Sequence, residues 1–415
     1  MAGRHEQLGG PGAAGAAGTT GRQEQPSTIT TGKTGMMATP TGTEPTGTER
    51  DEPAVPVPAG QPSWAELLTL LLRGDSLRAE DAGWAMQQIM SGAASPARIA
   101  GFAVALRAKG ETAEEVRGLV EAMLDHAAPL EVSDDVRERA VDTCGTGGDR
   151  SHSVNISTMA ALVVAGSGIP VIKHGNRAAS SRCGTADLLE ELGVVIDLPP
   201  AAVGTCLARA GAAFCFAPVF HPAMRHAAGT RRELGVPTFF NILGPLTNPG
   251  RPASQAIGVA DPQLAPVVAG VLAARGTRGL VFRGDDGLDE LTPTTTSTVW
   301  VISGGTVRQE AFDPRTVGIQ PGDPAELRGG DAAHNAEVAR VLLAGRRGLV
   351  RDAVLLAAAT ALVASTGPTA APVSEQIQRQ LSRAAWSLDS GAAEAALGRW
   401  VRTSQAAAAA ASSGV

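Results

Sequence analysis

Three polar, glycine-rich clusters separated by apolar segments lie between residues 142 and 187, and they constrain the fold more than any other feature. Residues 140–141 predict the end of a short buried strand, residues 155–168 a helix, and residues 169–172 the next strand. The first loop has little side-chain bulk because it contains Gly145, Gly147 and Gly148. A strand, a glycine loop and a helix N-terminus form an anion cradle, since backbone N–H groups point outward and the helix dipole favours negative charge.

A second donor-rich cluster follows the strand predicted at 169–172. It supplies two cations and several hydrogen-bond donors within nine positions, from Lys173, His174, Asn176, Arg177, Ser180 and Ser181. Neither loop matches the common P-loop or dinucleotide-binding pattern. Two donor-rich loops at adjacent strand ends suit a ligand with more than one phosphate, bound in the crevice where the strands end.

Composition argues against several functional classes. A net charge of −6 over 415 residues gives no global basic field for nucleic acid, and 3% aromatic residues provide few platforms for base stacking. The four cysteines form no Cys-x-x-Cys pair, which disfavours a zinc site and is typical of reduced cysteines in a cytosolic protein. No apolar run reaches the roughly 18 residues that span a bilayer.

The chain divides by composition into four parts. Residues 1–60, rich in Gly, Ala, Thr and Pro, predict a disordered extension, with a transit peptide as the weaker alternative. Residues 62–135 predict a helical domain with helix starts at Ser63, Ser95 and Thr112, which helices from about 221–245 are expected to join. Residues 138–403 predict an α/β domain, and the Ala-rich residues 404–415 a disordered tail.

Strands and helices alternate after residue 142, which predicts an α/β fold with a mostly parallel central sheet. The further predicted strands are 194–196, 213–216, 255–259, 279–283 and 298–302. The further predicted helices are 186–192, 201–210, 223–234, 262–274, 332–343, 352–364 and 374–385.

An arginine pair, Arg231 and Arg232, lies in a polar stretch that begins at His221. A planar guanidinium can grip a planar carboxylate through two parallel hydrogen bonds. Without further context, such a pair is more often a solvated helix face. We expect His221 to line or pack a pocket, and we assign no role to His226.

Adjacent carboxylates, Asp289 and Glu290, follow the strand predicted at 279–283. Carboxylates in a loop at a strand end are hard oxygen ligands suited to Mg²⁺, although consecutive acids are usually plain surface charge. Asp285 and Asp286 are also adjacent carboxylates in this loop, but we assign them no metal-binding role, so they serve as an internal comparison for Asp289 and Glu290.

The motifs Gly-Thr-Gly-Gly-Asp, Asn-Ile-Ser-Thr and Lys-His-Gly-Asn-Arg, in this order and spacing, resemble the anthranilate phosphoribosyltransferase family. The resemblance covers roughly residues 64–400 and includes the stretch around Arg231. It implies a nucleoside phosphorylase/phosphoribosyltransferase-like fold, with a small all-helical domain and a larger α/β domain.

The resemblance also implies an activity. The phosphoribosyl group of 5-phosphoribosyl 1-diphosphate would pass to the amine of anthranilate, giving N-(5-phosphoribosyl)anthranilate and diphosphate, the second step of tryptophan biosynthesis from chorismate. Two Mg²⁺ ions per monomer, a homodimer and a cytoplasmic location are implied as well, without nucleic-acid or membrane partners. Because an aniline amine is already neutral at pH 7, we assign no catalytic acid or base.

The resemblance implies roles residue by residue. Phosphoribosyl diphosphate would contact Gly145, Gly148, Asp149, Ser153, Asn155, Ile156, Ser157, Thr158, Lys173, His174, Gly175, Asn176, Arg177, Ala178, Ala179, Ser180, Ser181 and Thr185. Anthranilate would contact Gly145, Asn176 and Arg231. Metal ligands would be Ser157, Asp289 and Glu290.

Two alternatives share this fold. A pyrimidine nucleoside phosphorylase would bind free phosphate and a nucleobase, and it would have no need of Arg231 or of a metal at Asp289. A non-enzymatic, nucleic-acid-binding relative would carry a basic surface stripe and would lack the arginine for anthranilate. The negative net charge and Arg231 both disfavour the second alternative.

Overall fold

The computed structural model describes residues 62–178 and 181–412, so the extension predicted at 1–60 lies outside the described residues. The chain begins with helices α1 Trp64–Leu72, α2 Ala79–Met90, α3 Pro96–Lys109 and α4 Ala113–Asp125. They pack around an apolar core in which the rings of Trp64 and Phe102 meet edge to face, with centroids 5.8 Å apart.

Local side chains set the starts of these helices. Ser63 Oγ accepts a hydrogen bond from the N–H of Glu66, whose carboxylate accepts one from the N–H of Ser63. Thr112 and Glu115 form the same reciprocal pair at α4, and Ser95 caps α3. Each cap satisfies N–H groups that have no partner within the helix, and the three predicted starts are confirmed.

The described residues form one seven-stranded sheet in the order β3-β2-β1-β4-β5-β6-β7. The strands are β1 Val141–Gly145, β2 Val171–Gly175, β3 Ala212–Phe216, β4 Ser254–Gly258, β5 Arg278–Gly284, β6 Ser297–Ser303 and β7 Thr306–Phe312. β1 to β5 pair in parallel, whereas β6 and β7 pair antiparallel. The predicted α/β fold with a mostly parallel sheet is confirmed.

Successive side chains of the sheet face two different cores. In β5, Leu280 and Phe282 face one core while Val281 faces the other, as the two-residue period of a strand requires. The second core is continuous with α1 to α4, because α4 packs on the helices Phe240–Leu246 and Ala265–Ala274, which lie against the sheet.

The remaining helices complete both layers. They are α5 Asp134–Arg139, α6 Ile156–Gly166, α7 Thr185–Glu191, α8 Pro200–Ala210, α9 Ala217–Phe220, α10 Arg225–Leu234, α11 Phe240–Leu246, α12 Ala265–Ala274, α13 Ala332–Leu343, α14 Leu349–Thr366, α15 Val373–Asp389 and α16 Ala392–Ser412. α10 packs against α2 and α3, and α11 packs against α4 and β2. By length and composition α14 could span a membrane, but 78% of it is buried, where it packs on the sheet and α6.

Two predictions about segments far apart in the chain are wrong for one shared reason. Residues 404–412, predicted to be disordered, continue α16, and residues 194–196, predicted to be a strand, have no strand partner in the described chain. Ser404 is fully buried, and its Oγ accepts a hydrogen bond of 3.0 Å from the N–H of Val195. That contact holds the helix in place and replaces the strand pairing that Val195 would need.

Two further elements gave no readable sequence signal. β7 is an edge strand with mostly exposed or half-exposed side chains, so its sequence lacks an apolar alternation. α11 contains Gly244 and Pro245, which are unfavourable inside a helix, and its position is stabilised by burial of Ile242 and Leu243.

Candidate active site

Three glycines end neighbouring parallel strands at one edge of the sheet: Gly145 on β1, Gly175 on β2 and Gly258 on β4. The loop that follows β5 folds back over this edge. A Cβ at Gly145 would lie 2.2 Å from Asp289 Oδ2, and a Cβ at Gly258 would lie 1.6 Å from the backbone oxygen of Asp289. Only glycine leaves room for this approach, which brings the glycine loop after β1 together with the carboxylate pair after β5.

The first loop donates directly to this acid. The N–H of Gly147 donates a hydrogen bond of 2.7 Å to Asp289 Oδ2, and both Gly147 and Gly148 have positive φ angles, of 67° and 85°. Burial raises the pKa of Asp289 to about 7, and the nearby carboxylate of Asp149 adds to the rise. The N–H of Gly147 is therefore engaged by a carboxyl group of the chain itself, and a ligand anion at the glycine loop stays a prediction.

Glu290 lies beside a buried lysine. Burial raises the pKa of Glu290 well above its usual value, and the charge of Asp289 adds to this rise while Lys173 opposes it. Lys173 is 1% exposed, and its Nζ donates to the backbone oxygen of Thr143 and, at 3.3 Å, to Ser157 Oγ. Ser157, Lys173 and Glu290 therefore share one neighbourhood.

Lys173 and His174 were predicted to lie in a loop after a strand ending at residue 172, and this is wrong. β2 runs on to Gly175, so both side chains belong to a strand paired on each side. β1 likewise extends from Val141 to Gly145, beyond the predicted end at residue 141. Polar residues at the end of a central strand resemble a loop in sequence, because their partners come from distant segments.

The donor set suits a hard cation. Asp149, Asp289 and Glu290 lie near one another and the pKa values of Asp289 and Glu290 are raised, so a divalent ion would favour the charged forms of both groups. No preformed cage of three or more His, Cys, Asp or Glu side chains occurs in residues 62–178 and 181–412. A cation here would need further oxygen ligands from a substrate. Asp286, the internal comparison, is instead hydrogen-bonded by Thr292 and Leu288 within its own loop.

The two predicted phosphate loops are adjacent. Asn155, at the N-terminus of α6, donates from Nδ2 to the backbone oxygen of Cys183 at 3.1 Å. Thr158 Oγ1 and Thr185 Oγ1 are 3.3 Å apart, which joins the first turns of α6 and α7. Backbone N–H groups at two helix N-termini thus face the same region, and such termini favour anions.

Asp187 organises the second loop. Its Oδ2 accepts hydrogen bonds from the N–H groups of Ala178, at 3.0 Å, and Gly184, at 2.8 Å. Arg177 pairs with Asp187 and Glu190, so its guanidinium lies on α7 in this structure. Ser181 and Asn176 are exposed at the loop surface, and two predicted phosphate ligands, Ala179 and Ser180, lie outside the described residues.

Two histidines pack together below the second loop. His174 Nδ1 is 2.7 Å from the backbone oxygen of Gly244, His221 Nε2 is 2.8 Å from that of Thr247, and the ring centroids are 5.1 Å apart. Burial lowers the pKa of His174 to about 3 and that of His221 to about 4. Both rings are therefore neutral near pH 7, and the expectation that His221 packs a pocket agrees with its burial.

Arg231 is a half-buried cation on α10. Within the described part of the chain its side chain makes neither an ion pair nor a hydrogen bond, and its guanidinium carbon lies 5.0 Å from the centroid of the Phe240 ring. Burial lowers its pKa, which shows that the charge lacks compensation. Phe240 starts α11, and Gly244, one turn or about 6 Å further along the axis, holds His174 of β2. Arg231 is thus linked through one helix to the strand that carries the second loop.

Sequence reasoning missed two buried amides that position the loops. Asn248 donates from Nδ2 to Asp142 Oδ2 at 2.8 Å and to the backbone oxygen of Ile172 at 2.6 Å, which ties β1 to β2. Asn335 on α13 donates to Asn155 Oδ1 at 2.8 Å. Asn248 lies next to a polar stretch that the sequence had singled out, whereas nothing local marks Asn335.

The fold and site define a class of protein. Residues 65–127 match the helical bundle domain of a glycosyl transferase family, and residues 137–394 match its a/b domain. This chain is therefore a glycosyltransferase of the group that combines these two domains.

Individual relatives narrow the class. Anthranilate phosphoribosyltransferase from Frankia alni is 67% identical over 363 residues, covering 84% of this chain and 98% of the relative. That from Saccharopolyspora erythraea is 60% identical, covering 82% of this chain and 96% of the relative. This chain belongs to the anthranilate phosphoribosyltransferase family.

Solved structures agree with this assignment. The enzyme from Thermus thermophilus superimposes with a TM-score of 0.75 at 41% identity, covering 82% of this chain and 99% of that one. The Saccharomyces cerevisiae enzyme in complex with PRPP and Mg superimposes with a TM-score of 0.73 at 26% identity, covering 83% and 99%. These relatives favour the phosphoribosyltransferase over the nucleoside phosphorylase and over the nucleic-acid-binding protein.

Proposed function

We propose that this chain transfers the phosphoribosyl group of 5-phosphoribosyl 1-diphosphate to the amine of anthranilate, in the second step of tryptophan biosynthesis. The observation that carries the proposal is the junction of the two phosphate loops through Asn155 and Cys183, and through Thr158 and Thr185. Two adjacent anion cradles suit a sugar with phosphates at both ends. The yeast relative was solved with PRPP and Mg, and also with 4-fluoroanthranilate.

The glycine loop and the N-termini of α6 and α7 would hold the phosphates. The backbone N–H of Gly148 would act as a donor, while Ser157, Thr158 and Thr185 would add hydroxyls. Arg177 would have to exchange its ion pairs with Asp187 and Glu190 for a phosphate. Surface ion pairs are worth only about 0–1 kcal/mol, so the exchange has little cost.

Asp289, Glu290 and Ser157 would hold magnesium, with two ions per monomer as the family resemblance implies. When bound, the metal supplies positive charge that offsets the charge developing on the departing diphosphate. The chain itself keeps both carboxylates at the strand ends, since Gly145 and Gly258 leave the space that Asp289 fills.

Arg231 would grip the anthranilate carboxylate, and Gly145 and Asn176 would also contact anthranilate, as the family resemblance implies. A half-buried guanidinium without an ion pair among the described residues gains most from a charged ligand, and such a bond contributes about 1.5–3 kcal/mol. The amine nitrogen then forms the bond to the sugar C1 as the bond from C1 to the diphosphate oxygen breaks, and the nitrogen loses one proton to the departing diphosphate or to water. The neutral histidines, His174 and His221, are poor proton acceptors near pH 7, so positioning carries the reaction.

Replacement of Arg231 tests this reading. Arg231→Ala should raise the KM for anthranilate by about 10- to 100-fold while the KM for phosphoribosyl diphosphate changes less than about twofold. Loss of anthranilate fluorescence is the readout. Arg232→Ala, at the exposed neighbour on the same helix, is the matched control and should leave both constants unchanged. Equal rises in the two KM values for Arg231→Ala would remove Arg231 from the carboxylate site.

The homodimer also belongs to the proposal. Leu72 on α1 is 80% exposed and Val104 on the adjacent α3 is 45% exposed, which gives this helical face apolar surface for a second copy. Light scattering should report a mass of twice 42.1 kDa. Leu72→Asp should shift the mass toward the monomer, and a wild-type monomer would contradict the proposal.

A further inference from the structure

A chain of side-chain amides joins α13 to both phosphate loops. Asn335 Oδ1 accepts a hydrogen bond of 2.8 Å from the N–H of Gly330, and Asn335 Nδ2 donates one of 2.8 Å to Asn155 Oδ1. Asn155 Nδ2 in turn donates to the backbone oxygen of Cys183 at 3.1 Å. Asn335 is 2% exposed, so water cannot readily replace these partners.

The direction of each amide follows from its partners. A backbone N–H can only donate, so the atom of Asn335 that faces Gly330 must be oxygen. The backbone oxygen of Cys183 can only accept, so Asn155 must present its NH₂ group there. The remaining pair, Asn335 Nδ2 and Asn155 Oδ1, then matches donor with acceptor. A single orientation satisfies all three hydrogen bonds of this chain of amides.

Residues 327–329, just before α13, are hydrogen-bonded to residues 152–154 at the end of the first loop. The N–H of Val154 donates to the oxygen of Leu327 at 2.9 Å, and the N–H of Gly329 donates to the oxygen of His152 at 2.8 Å. His152 has a φ of 54°, a left-handed conformation that is unfavourable for a non-glycine residue and needs support from its surroundings. A Cβ at Gly329 would lie 2.9 Å from Asn335 Oδ1, so Asn335 packs directly against these paired segments.

We propose that Asn335 is a positioning residue for phosphoribosyl diphosphate. It fixes the rotamer of Asn155 and thereby the separation between the glycine loop and the loop that ends at Cys183. Asn335 touches no reacting atom and acts through Asn155. The inference rests on the proposed function, since it concerns the same ligand.

A purely structural role is the alternative, in which the buried hydrogen bonds of Asn335 stabilise only the fold. The two roles differ in what they do to the substrates. A positioning role changes the affinity for phosphoribosyl diphosphate selectively, whereas a purely structural role lowers stability without that selectivity. Ser404 offers a matched control, because it is also buried and its Oγ also holds a distant segment, at Val195.

Kinetics of Asn335→Ala and Asn335→Asp provide the test. Loss of the bond to Asn155 should raise the KM for phosphoribosyl diphosphate by about tenfold, with the anthranilate KM changed less than about twofold. Asn335→Asp keeps the shape of the side chain and places an acceptor against Asn155 Oδ1, so it should give the same selective rise in KM. This variant provides the test if the alanine variant does not fold. Ser404→Ala should lower the melting temperature and leave both KM values unchanged.

A double-mutant cycle isolates the path through Asn155. In an Asn155→Ala background, Asn335→Ala should raise the KM for phosphoribosyl diphosphate by less than about twofold more, because the bond it removes is already gone. Calorimetric titration with phosphoribosyl diphosphate and Mg²⁺ should show the same pattern in Kd, independently of turnover. Additive effects, or an unchanged Kd in Asn335→Asp, would overturn the proposal. A wild-type chain that binds no phosphoribosyl diphosphate would instead refute the proposed function.

Discussion

Gly145→Ala should damage the response to magnesium because the missing side chain of Gly145 makes room for Asp289. The added Cβ would lie 2.2 Å from Asp289 Oδ2, so the carboxylate must retreat by about 1.2 Å to regain the ordinary contact distance of 3.4 Å. That movement breaks the hydrogen bond of 2.7 Å from the N–H of Gly147. A charge-assisted bond of this kind is worth about 1.5–3 kcal/mol, or roughly a 10- to 150-fold change in a binding constant.

The assay is the initial rate of anthranilate consumption at fixed substrates over a range of Mg²⁺ concentrations. Half-saturation should rise by at least about tenfold in Gly145→Ala. Gly204→Ala, inside α8, is the control, because the nearest atom to its added Cβ is 3.6 Å away. It should gain up to about 1 kcal/mol of stability and keep the wild-type response to magnesium. An unchanged half-saturation in Gly145→Ala would refute the placement of Asp289 over the glycine loop.

Three further predictions concern stability. The raised pKa of Asp289, about 7, means that the folded chain binds more protons than the unfolded chain between about pH 4 and 7, so this group lowers stability as pH rises through that range. Without metal, the free energy of unfolding of Asp289→Asn at pH 8 should therefore exceed that of the wild type by on the order of 1–3 kcal/mol. Thermal scans should show a higher melting temperature for the variant at pH 8 and a difference that closes toward pH 4. Asn248→Leu leaves Asp142 and the oxygen of Ile172 without their donor and should cost about 2–4 kcal/mol in urea unfolding; a loss below about 0.5 kcal/mol would contradict the bridging role. Ser404→Ala should cost about 1–2 kcal/mol, whereas the exposed Ser412→Ala should cost nothing measurable, and equal melting temperatures would contradict the docking of α16.

Features that depend on short stretches of sequence were predictable. The capping pair of Thr112 and Glu115 needs only a spacing of three residues, and the parallel sheet follows from the alternation of strand and helix. The glycine loop was also readable, because its three glycines lie between a predicted strand and a predicted helix and a second donor-rich cluster follows the next strand. Its contact with Asp289 crosses 142 residues of sequence and required the fold.

Features that depend on pairing between distant segments were not predictable. Lys173 and His174 resemble loop residues until β1 and β3 flank them on both sides. The Ala-rich end of the chain resembles a disordered tail until Ser404 meets Val195, 209 residues earlier. Asn335 is 180 residues from Asn155, and no local pattern marks a buried amide of this kind.

The most direct test of the central claim is product formation by the purified chain from anthranilate, phosphoribosyl diphosphate and Mg²⁺. One diphosphate should be released for each anthranilate consumed, activity should require both substrates, and removal of magnesium should abolish it. Release of a free base from a pyrimidine nucleoside and phosphate, without consumption of anthranilate, would contradict the claim.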